Sequence, residues 1–120
     1  TKATLAVNEA QGWYYGPEAT TNRNTFITVT FYVTNLGDRQ VTIGDVEVIA
    51  AYSGNTPCVY RGYSGAKVNP GETVSIAMKL NLAGSCQGAT ILRQTVIRVS
   101  YSDADWRTNA VEAPIVLSRA

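Results

Sequence analysis

The chain has 120 residues, with ten basic and nine acidic side chains, so its formal net charge at pH 7 is +1. This length suits a single domain with one core. Because only 16% of the residues are charged and the basic ones are scattered singly, we expect no nucleic-acid-binding surface and no acidic tail.

No apolar run in the sequence approaches the roughly 20 residues that cross a bilayer as a helix. Membrane attachment would therefore need a segment that is absent from this chain. The first residue is Thr1 rather than Met, and it already lies in a strand-like pattern. Two origins for such a start remain open: removal of a signal peptide, or removal of an N-terminal membrane segment.

Alternation of apolar and polar residues predicts two strands in the first third of the chain. The first is short, with Ala3, Leu5 and Val7 on its apolar face. The second has threonines and Tyr32 on its solvent face, and its apolar face carries Ile27, Val29, Phe31 and Val33. The segment Asn35-Leu36-Gly37-Asp38 then predicts a turn, since Asn and Gly both tolerate a positive φ.

The next predicted strand changes phase in its middle. Val41 and Ile43 begin the apolar face, and Val46, Val48 and Ala50 continue it in the opposite phase. The change falls at Gly44, which predicts a β-bulge rather than two separate strands. A short strand is expected from Val59 to Tyr63.

The second half of the chain begins with a turn signal, because Pro70 and Gly71 occupy the central positions of a type II turn. A strand with an unbroken apolar face follows over 74–82, and another is predicted over 97–101, ending in a turn at 102–105. The last predicted strand runs over 111–117. Pro114 in that strand indicates the edge of a sheet, where a missing N–H does no harm.

About seven short strands separated by turns, with no segment of helical periodicity, predict an all-β fold. We expect one domain over residues 1–120 with an immunoglobulin-like antiparallel β-sandwich architecture.

The only cysteines are Cys58 and Cys86, in a chain without histidine. Zinc normally needs four such ligands, so a metal site is not expected. A disulfide is favoured, which would indicate an oxidising compartment, and two buried unpaired thiols are the alternative. If Pro70-Gly71 is the apex of a hairpin, the bridge would join the loop before one strand to the loop after its partner.

The absence of histidine removes the common nucleophilic triads, and no glycine-rich phosphate loop precedes a helix. We therefore expect no catalytic residue and no cofactor. An enzyme would need Asp103, Asp105 and Glu112 to converge in a pocket. Asp103, Asp105 and Asn109 have the spacing of calcium-loop oxygens, but the expected Gly and Glu are missing, so a charged hairpin tip is the better interpretation.

Aromatic residues supply the candidate interaction surface. Neighbours on a strand face opposite sides, so Trp13, Tyr14 and Tyr15 cannot all point into a core. Half-exposed rings are also expected at Tyr60, Tyr63 and Trp106. Three interpretations remain open: Trp13 plugs the core while the tyrosines reach water, the rings contact another subunit, or they form a sugar-binding platform. No sequon for N-glycosylation occurs in the sequence.

Two stretches carry a resemblance to known families. Residues 28–43 (TVTFYVTNLGDRQVTI) and 68–76 (VNPGETVSI) contain a V-x-N-x-G-D … V-x-I pair followed by P-G-E-T. Over roughly positions 25–82 the chain resembles the β-sandwich head of archaeal type IV pilins and archaellins. It also resembles the immunoglobulin-like adhesion modules of archaeal and bacterial surface proteins.

This resemblance implies a non-catalytic, extracytoplasmic head domain of an archaeal pilin-like surface filament, acting by protein–protein contact. In that family the head follows a hydrophobic helix, which this chain does not contain. The implied partners are copies of the same subunit or a surface-layer protein, and the implied location is the cell surface. The alternatives are an archaellum accessory domain that contacts the surface layer, or an adhesion or carbohydrate-binding module of a secreted protein.

Overall fold

The computed structural model of the chain describes residues 5–14, 26–52, 58–83, 92–105 and 107–119. Within these residues the fold is all-β, and no helix of the length and hydropathy needed to span a bilayer is found among them. The strands are β1 (Leu5–Tyr14), β2 (Phe26–Asn35), β3 (Val41–Tyr52), β4 (Cys58–Tyr63), β5 (Lys67–Val68), β6 (Thr73–Ala83), β7 (Leu92–Ser102), β8 (Thr108–Pro114) and β9 (Val116–Arg119).

The strands form one sheet in the order β8-β7-β3-β4-β6-β2-β1-β9, with β5 paired to β3. All of these pairs are antiparallel except β1 with β9, which is parallel. The strands β8 and β9 follow each other in the chain yet lie at opposite ends of this order. Because β1 and β8 are also in contact, the sheet curls into a nearly closed, barrel-like shape.

The all-β prediction is confirmed, and the described strands outnumber the seven expected. The predicted single strand over 111–117 is wrong. The chain leaves β8 after Pro114, and Ile115 turns into the core with 5% of its surface exposed. Its N–H donates to the carbonyl oxygen of Thr95 at 3.3 Å. The residues that follow then pair with β1 as β9.

The core is built from the inward residues of the alternating strands, as predicted for β2 and for β6. Burying each large aliphatic or aromatic side chain stabilises the fold by about 1.5–3 kcal/mol. The largest fully buried side chains are Phe31, Ile27, Ile43, Leu80 and Ile97.

The predicted bulge at Gly44 is confirmed. The register of β3 against β7 shifts between Ile43 and Val46, and both of these residues are fully buried although three positions separate them. A similar shift in β1, between Asn8 and Gln11, changes its phase as well. The strand β1 extends to Tyr14, and the change of phase is why alternation predicted only a short strand around Leu5. Ala3 lies outside the described residues.

The turn at Pro70-Gly71 is also confirmed. Gly71 has a φ of 77°, which is the positive value that a type II turn requires at its third position. The N–H of Glu72 donates to the carbonyl oxygen of Asn69 at 3.0 Å and closes the turn.

The turn after β2 is held by a buried asparagine. The Nδ2 of Asn35 donates to the carbonyl oxygens of Arg39 at 2.6 Å and Val68 at 3.0 Å, while its Oδ1 accepts from the N–H of Gly37 at 2.9 Å. Its backbone pairs with Gly71 and Glu72. Asn35 therefore joins the β2–β3 turn to the β5–β6 turn and fixes one end of the molecule.

Candidate functional site

A cleft of about 780 Å³ opens at this same end of the molecule. Its floor is the outer face of β3, because Val41 and Ile43 point into the core and Thr42 between them points outward. Thr42 stands opposite Lys67 of β5 on one side and opposite Ser102 of β7 on the other. Residues directly opposite on adjacent strands have Cβ atoms about 4.5–5.5 Å apart, so these three side chains form a polar row.

One wall of the cleft is the ring of Tyr63, of which 69% is exposed. The chain after β4 follows the bulge of β3, with the N–H of Gly65 donating to the carbonyl oxygen of Ile43 at 2.8 Å. A Cβ atom at Gly65 would lie 3.2 Å from Cε2 of Tyr63. One edge of the ring therefore lies close to the glycine backbone, while the rest of it meets solvent.

The other wall carries charges from two turns. Arg39 forms an ion pair with Asp105, and both side chains are about half exposed. The hydrogen bond and the Coulomb attraction of Asp105 raise the pKa of Arg39 above its ordinary value, so Arg39 stays charged. Beside it, Gln40 lines the cleft and donates from Nε2 to Oδ1 of Asn69 at 2.8 Å.

Asp103 ends the cleft and is only 9% exposed. Its Oδ1 accepts from the N–H of Asp105 at 2.9 Å and from the N–H of Arg107 at 3.2 Å, which shapes the β7–β8 turn. This confirms a charged hairpin tip. Within the described ranges no protein donor contacts Oδ2, and no group of residues there has the composition of a metal site.

A second surface lies at the end of the sheet, along β1 and β9. We call it the β1–β9 edge, and a groove of about 390 Å³ runs along it. The outward residues of both strands line the groove, among them Glu9, Gln11, Trp13, Val116 and Ser118. Val116 is 67% exposed. Gly12 faces inward between them, and a Cβ there would lie 2.5 Å from Cδ2 of Leu117.

The predicted aromatic surface is divided by the fold. Trp13 is half-buried and lines the β1–β9 edge, whereas its neighbour Tyr14 packs against the core. Tyr63 is exposed at the cleft, as expected. The prediction of a half-exposed Tyr60 is wrong: it is 3% exposed, because its position opposite Val48 turns it inward.

Three further predicted residues, Tyr15, Trp106 and Cys86, lie outside the described residues. Cys58 is buried at the start of β4, and no free thiol is found among the described residues. Val59, the residue after Cys58, pairs with Ala83 at the end of β6. The bridge between the two cysteines stays a prediction.

The carboxylates named as an enzymatic possibility are not gathered in the cleft. Asp103 lines it and Asp105 pairs with Arg39 on its wall, but Glu112 is on β8 opposite Arg98 and is not part of the lining.

Comparison with known proteins gives the fold and little more. The sequence matches no family model and none of the curated proteins. A solved structure of a Bordetella pertussis protein assigned as ApaA is similar over 98% of this chain and 97% of its own, with a TM-score of 0.54 and 16% identity. At that identity the likeness shows a shared fold alone.

Two β-glucosidase structures are also similar over 95% of this chain. They come from Erythrobacter marinus, with a TM-score of 0.45 and 13% identity, and from Listeria innocua, with a TM-score of 0.39 and 12% identity. This chain spans only 16% of the length of either β-glucosidase. Their activity therefore says nothing about the chemistry of this chain.

Sequence reasoning missed the polar row of the cleft. Thr42, Lys67 and Ser102 are far apart in the chain and become neighbours only through the pairing of β3 with β5 and β7. The available signal was the outward phase of Thr42 between two buried residues, which marks a solvent face but does not say what lies beside it.

Proposed function

We propose that this chain is a non-catalytic, extracytoplasmic interaction domain, the head of an archaeal pilin-like filament subunit that assembles through its β1–β9 edge. The binding partner at that edge is a second copy of the same chain. The proposal takes up the likeness of residues 28–43 and 68–76 to the heads of archaeal pilins and archaellins. It includes an immunoglobulin-like arrangement of two layers, β8-β7-β3 and β6-β2-β1, with β4 bridging them.

The strand order is consistent with that arrangement. The path β8-β7-β3 continues through β4 into β6-β2-β1, and β4 pairs with β6 only over Val59–Arg61. A bridge that short leaves the two groups of three strands free to pack face to face, as layers of a sandwich do.

The observation that carries the proposal is the β1–β9 edge itself. Among the described strands, β9 has a partner on one side only, and a strand with that position at the end of a sheet can pair with an added strand. Val116 and the half-buried Trp13 lie on this edge, and exposed aromatic and aliphatic side chains are common at the centre of interfaces. The net charge of +1 means that copies repel each other very little.

The test uses the full-length protein in its own cells. A photo-reactive p-benzoylphenylalanine replaces Val116, and in a matched control it replaces Arg98, an exposed residue on the outer face of β7. After irradiation, we expect the Val116 position to give a product of twice the subunit mass that contains this chain alone. Electron microscopy with an antibody to the domain should label surface filaments.

Two results would contradict the proposal. A cross-link from position 116 to a different surface protein would favour an accessory domain that contacts the surface layer. Equal cross-linking from positions 116 and 98, together with cells that bear no labelled filament, would remove both self-assembly and the edge as its site. The sequence encoded ahead of Thr1 gives an independent check, since a pilin-like subunit needs a segment of about 20 apolar residues there.

A further inference from the structure

We propose that the cleft above β3 is a binding site for an acidic saccharide, a sugar ring that carries one carboxylate, as in a hexuronic acid. The proposal does not depend on filament assembly, because the cleft and the β1–β9 edge have no lining residue in common.

The wall formed by Tyr63 suits the apolar face of a sugar ring. Tyr63 is 69% exposed and lies close to Gly65, which has no side chain, so one face of the ring is open to a ligand. Binding sites for small molecules combine such an apolar surface with a few placed polar groups. The aromatic ring of Tyr63 provides the apolar surface, and its phenolic O–H can form a hydrogen bond.

The end of the cleft suits sugar hydroxyls. Asp103 is nine-tenths buried, and its Oδ2 has no protein donor among the described residues. Most carboxylate oxygens of largely buried residues have a hydrogen-bond partner in folded proteins. A hydroxyl group donating to this carboxylate would form a charge-assisted hydrogen bond. Thr42 and Ser102 on the floor add hydroxyls that can donate or accept.

The charge of the cleft selects a ligand with a carboxylate. Within the described part of the chain, Arg39 is paired with Asp105, whereas no carboxylate pairs with Lys67 in the polar row. A neutral sugar would offer no opposite charge to Lys67. A densely charged anion, such as a phosphorylated ligand, would be repelled by Asp103 and Asp105. A ligand with one carboxylate near Lys67 and hydroxyl groups near Asp103 would match the charges of both side chains.

The probe is trigalacturonic acid, measured by isothermal titration calorimetry at low salt, with its methyl ester as the uncharged counterpart. We expect the acid to bind and Tyr63→Ala to weaken binding at least tenfold. Lys67→Gln should weaken binding of the acid several-fold and leave binding of the ester unchanged. Asp103→Asn should weaken both ligands, because the amide cannot accept a charge-assisted hydrogen bond as the carboxylate does.

Matched controls separate the cleft from general surface effects. Tyr32→Ala removes another exposed tyrosine, from the outer face of β2, and Lys79→Gln removes an exposed lysine of β6; both should bind like the parent. Thermal unfolding followed by circular dichroism identifies any variant that is not folded. If Asp103→Asn unfolds, the Tyr63 and Lys67 variants still decide the result.

Several outcomes would overturn the proposal. They are no binding of trigalacturonic acid at 10 mM, equal affinity for the acid and its ester, or unchanged affinity in Tyr63→Ala. Equal binding of a capped tri-glutamate peptide would also overturn it, because the site would then recognise a carboxylate without a sugar.

Discussion

The side chain of Asn35 donates a hydrogen bond of 3.0 Å to the carbonyl oxygen of Val68, which lies 33 positions further along the chain. Asn35 is fully buried. Its contact with Val68 joins the turn after β2 to the strand β5 that forms part of the cleft floor. The asparagine of the N-x-G-D segment is therefore a tertiary link as well as a turn residue.

Replacing Asn35 with Ala should lower the free energy of unfolding by about 2–4 kcal/mol. The change removes a buried hydrogen bond to Val68 and two partly buried ones, to Arg39 and Gly37. A buried group left unsatisfied costs about 1–3 kcal/mol, and the partly buried ones cost less because water can reach them. Urea denaturation measures the effect. Thr34→Ala is the control, because the hydrogen bond of its hydroxyl to Thr73 is exposed. If Thr34→Ala also loses more than about 1 kcal/mol, any substitution at this end of β2 is destabilising and the effect is not specific to Asn35.

A second prediction concerns the turn at Gly71. A Cβ at this position meets no atom within 4 Å, so Gly71→Ala tests the backbone conformation alone. With a φ of 77°, Ala should lose about 1–2 kcal/mol of stability, and Asn should lose less because it tolerates this region.

Gly44→Ala serves as the control for that experiment. Its φ is not positive, and the nearest atom to an added Cβ is the carbonyl oxygen of Ser100 at an ordinary 3.7 Å. We expect a change within about 0.5 kcal/mol. If Gly71→Ala is as neutral as Gly44→Ala, the positive φ of the type II turn is not a constraint on the sequence.

The parts of the fold that were predicted share one property: their sequence pattern is local. β2 and β6 have alternations without interruption, and the type II turn at Pro70-Gly71 depends on adjacent residues. The bulge at Gly44 was also predictable, since it changes the phase of one strand. An analogous bulge in β1 was missed because its apolar residues are too few on either side of Asn8 to reveal the change.

The parts that were not predicted depend on pairing between distant strands. Tyr60 was expected at the surface, but the register with Val48 turns it into the core. The cleft unites Thr42 with Lys67 and with Ser102 only through two separate ladders of β3. Alternation within a strand predicts which of its residues share a face. Which residues of other strands lie beside them depends on the order and register of the strands in the sheet.

A third prediction concerns the close approach of β9 to β1. Gly12→Ala would place a Cβ 2.5 Å from Cδ2 of Leu117 and 3.3 Å from Cγ1 of Val29, and overpacking of this kind typically costs about 1–3 kcal/mol. Shortening the partner should relieve it. In a double-mutant cycle we expect Gly12→Ala with Leu117→Ala to lose less stability than the sum of the single changes, by about 1 kcal/mol. Additive losses would mean that the two positions do not contact each other.

A fourth prediction concerns the crossing from β8 to β9. Ile115→Ala should lower the free energy of unfolding by about 2–4 kcal/mol, because it empties a buried position at the point where the two ends of the sheet meet. Val116→Ala, one residue later and 67% exposed, should change stability by no more than about 0.5 kcal/mol. Similar losses in both variants would contradict the inward turn of Ile115.

The last prediction concerns Glu9, an exposed residue in the bulge of β1 with a φ of 53°. A left-handed conformation costs a residue with a Cβ roughly 1–2 kcal/mol. Glycine removes this cost, but its more flexible unfolded state offsets part of the gain. Glu9→Gly should therefore raise the free energy of unfolding by about 0.5–1 kcal/mol. Glu9→Ala should leave it unchanged, and Glu9→Val should lower it, since a β-branched residue fits this region least.

The comparison of the three Glu9 variants separates backbone strain from a side-chain contribution. If Glu9→Ala loses as much stability as Glu9→Val, the carboxylate itself supports the bulge. If glycine stabilises and alanine does not, the strain lies in the backbone. The second outcome would mean that the β1–β9 edge contains a strained backbone position, since Glu9 lines its groove. If the β1–β9 edge is the assembly surface proposed above, Glu9→Gly should also alter cross-linking from position 116, because releasing the strain changes the backbone of that edge.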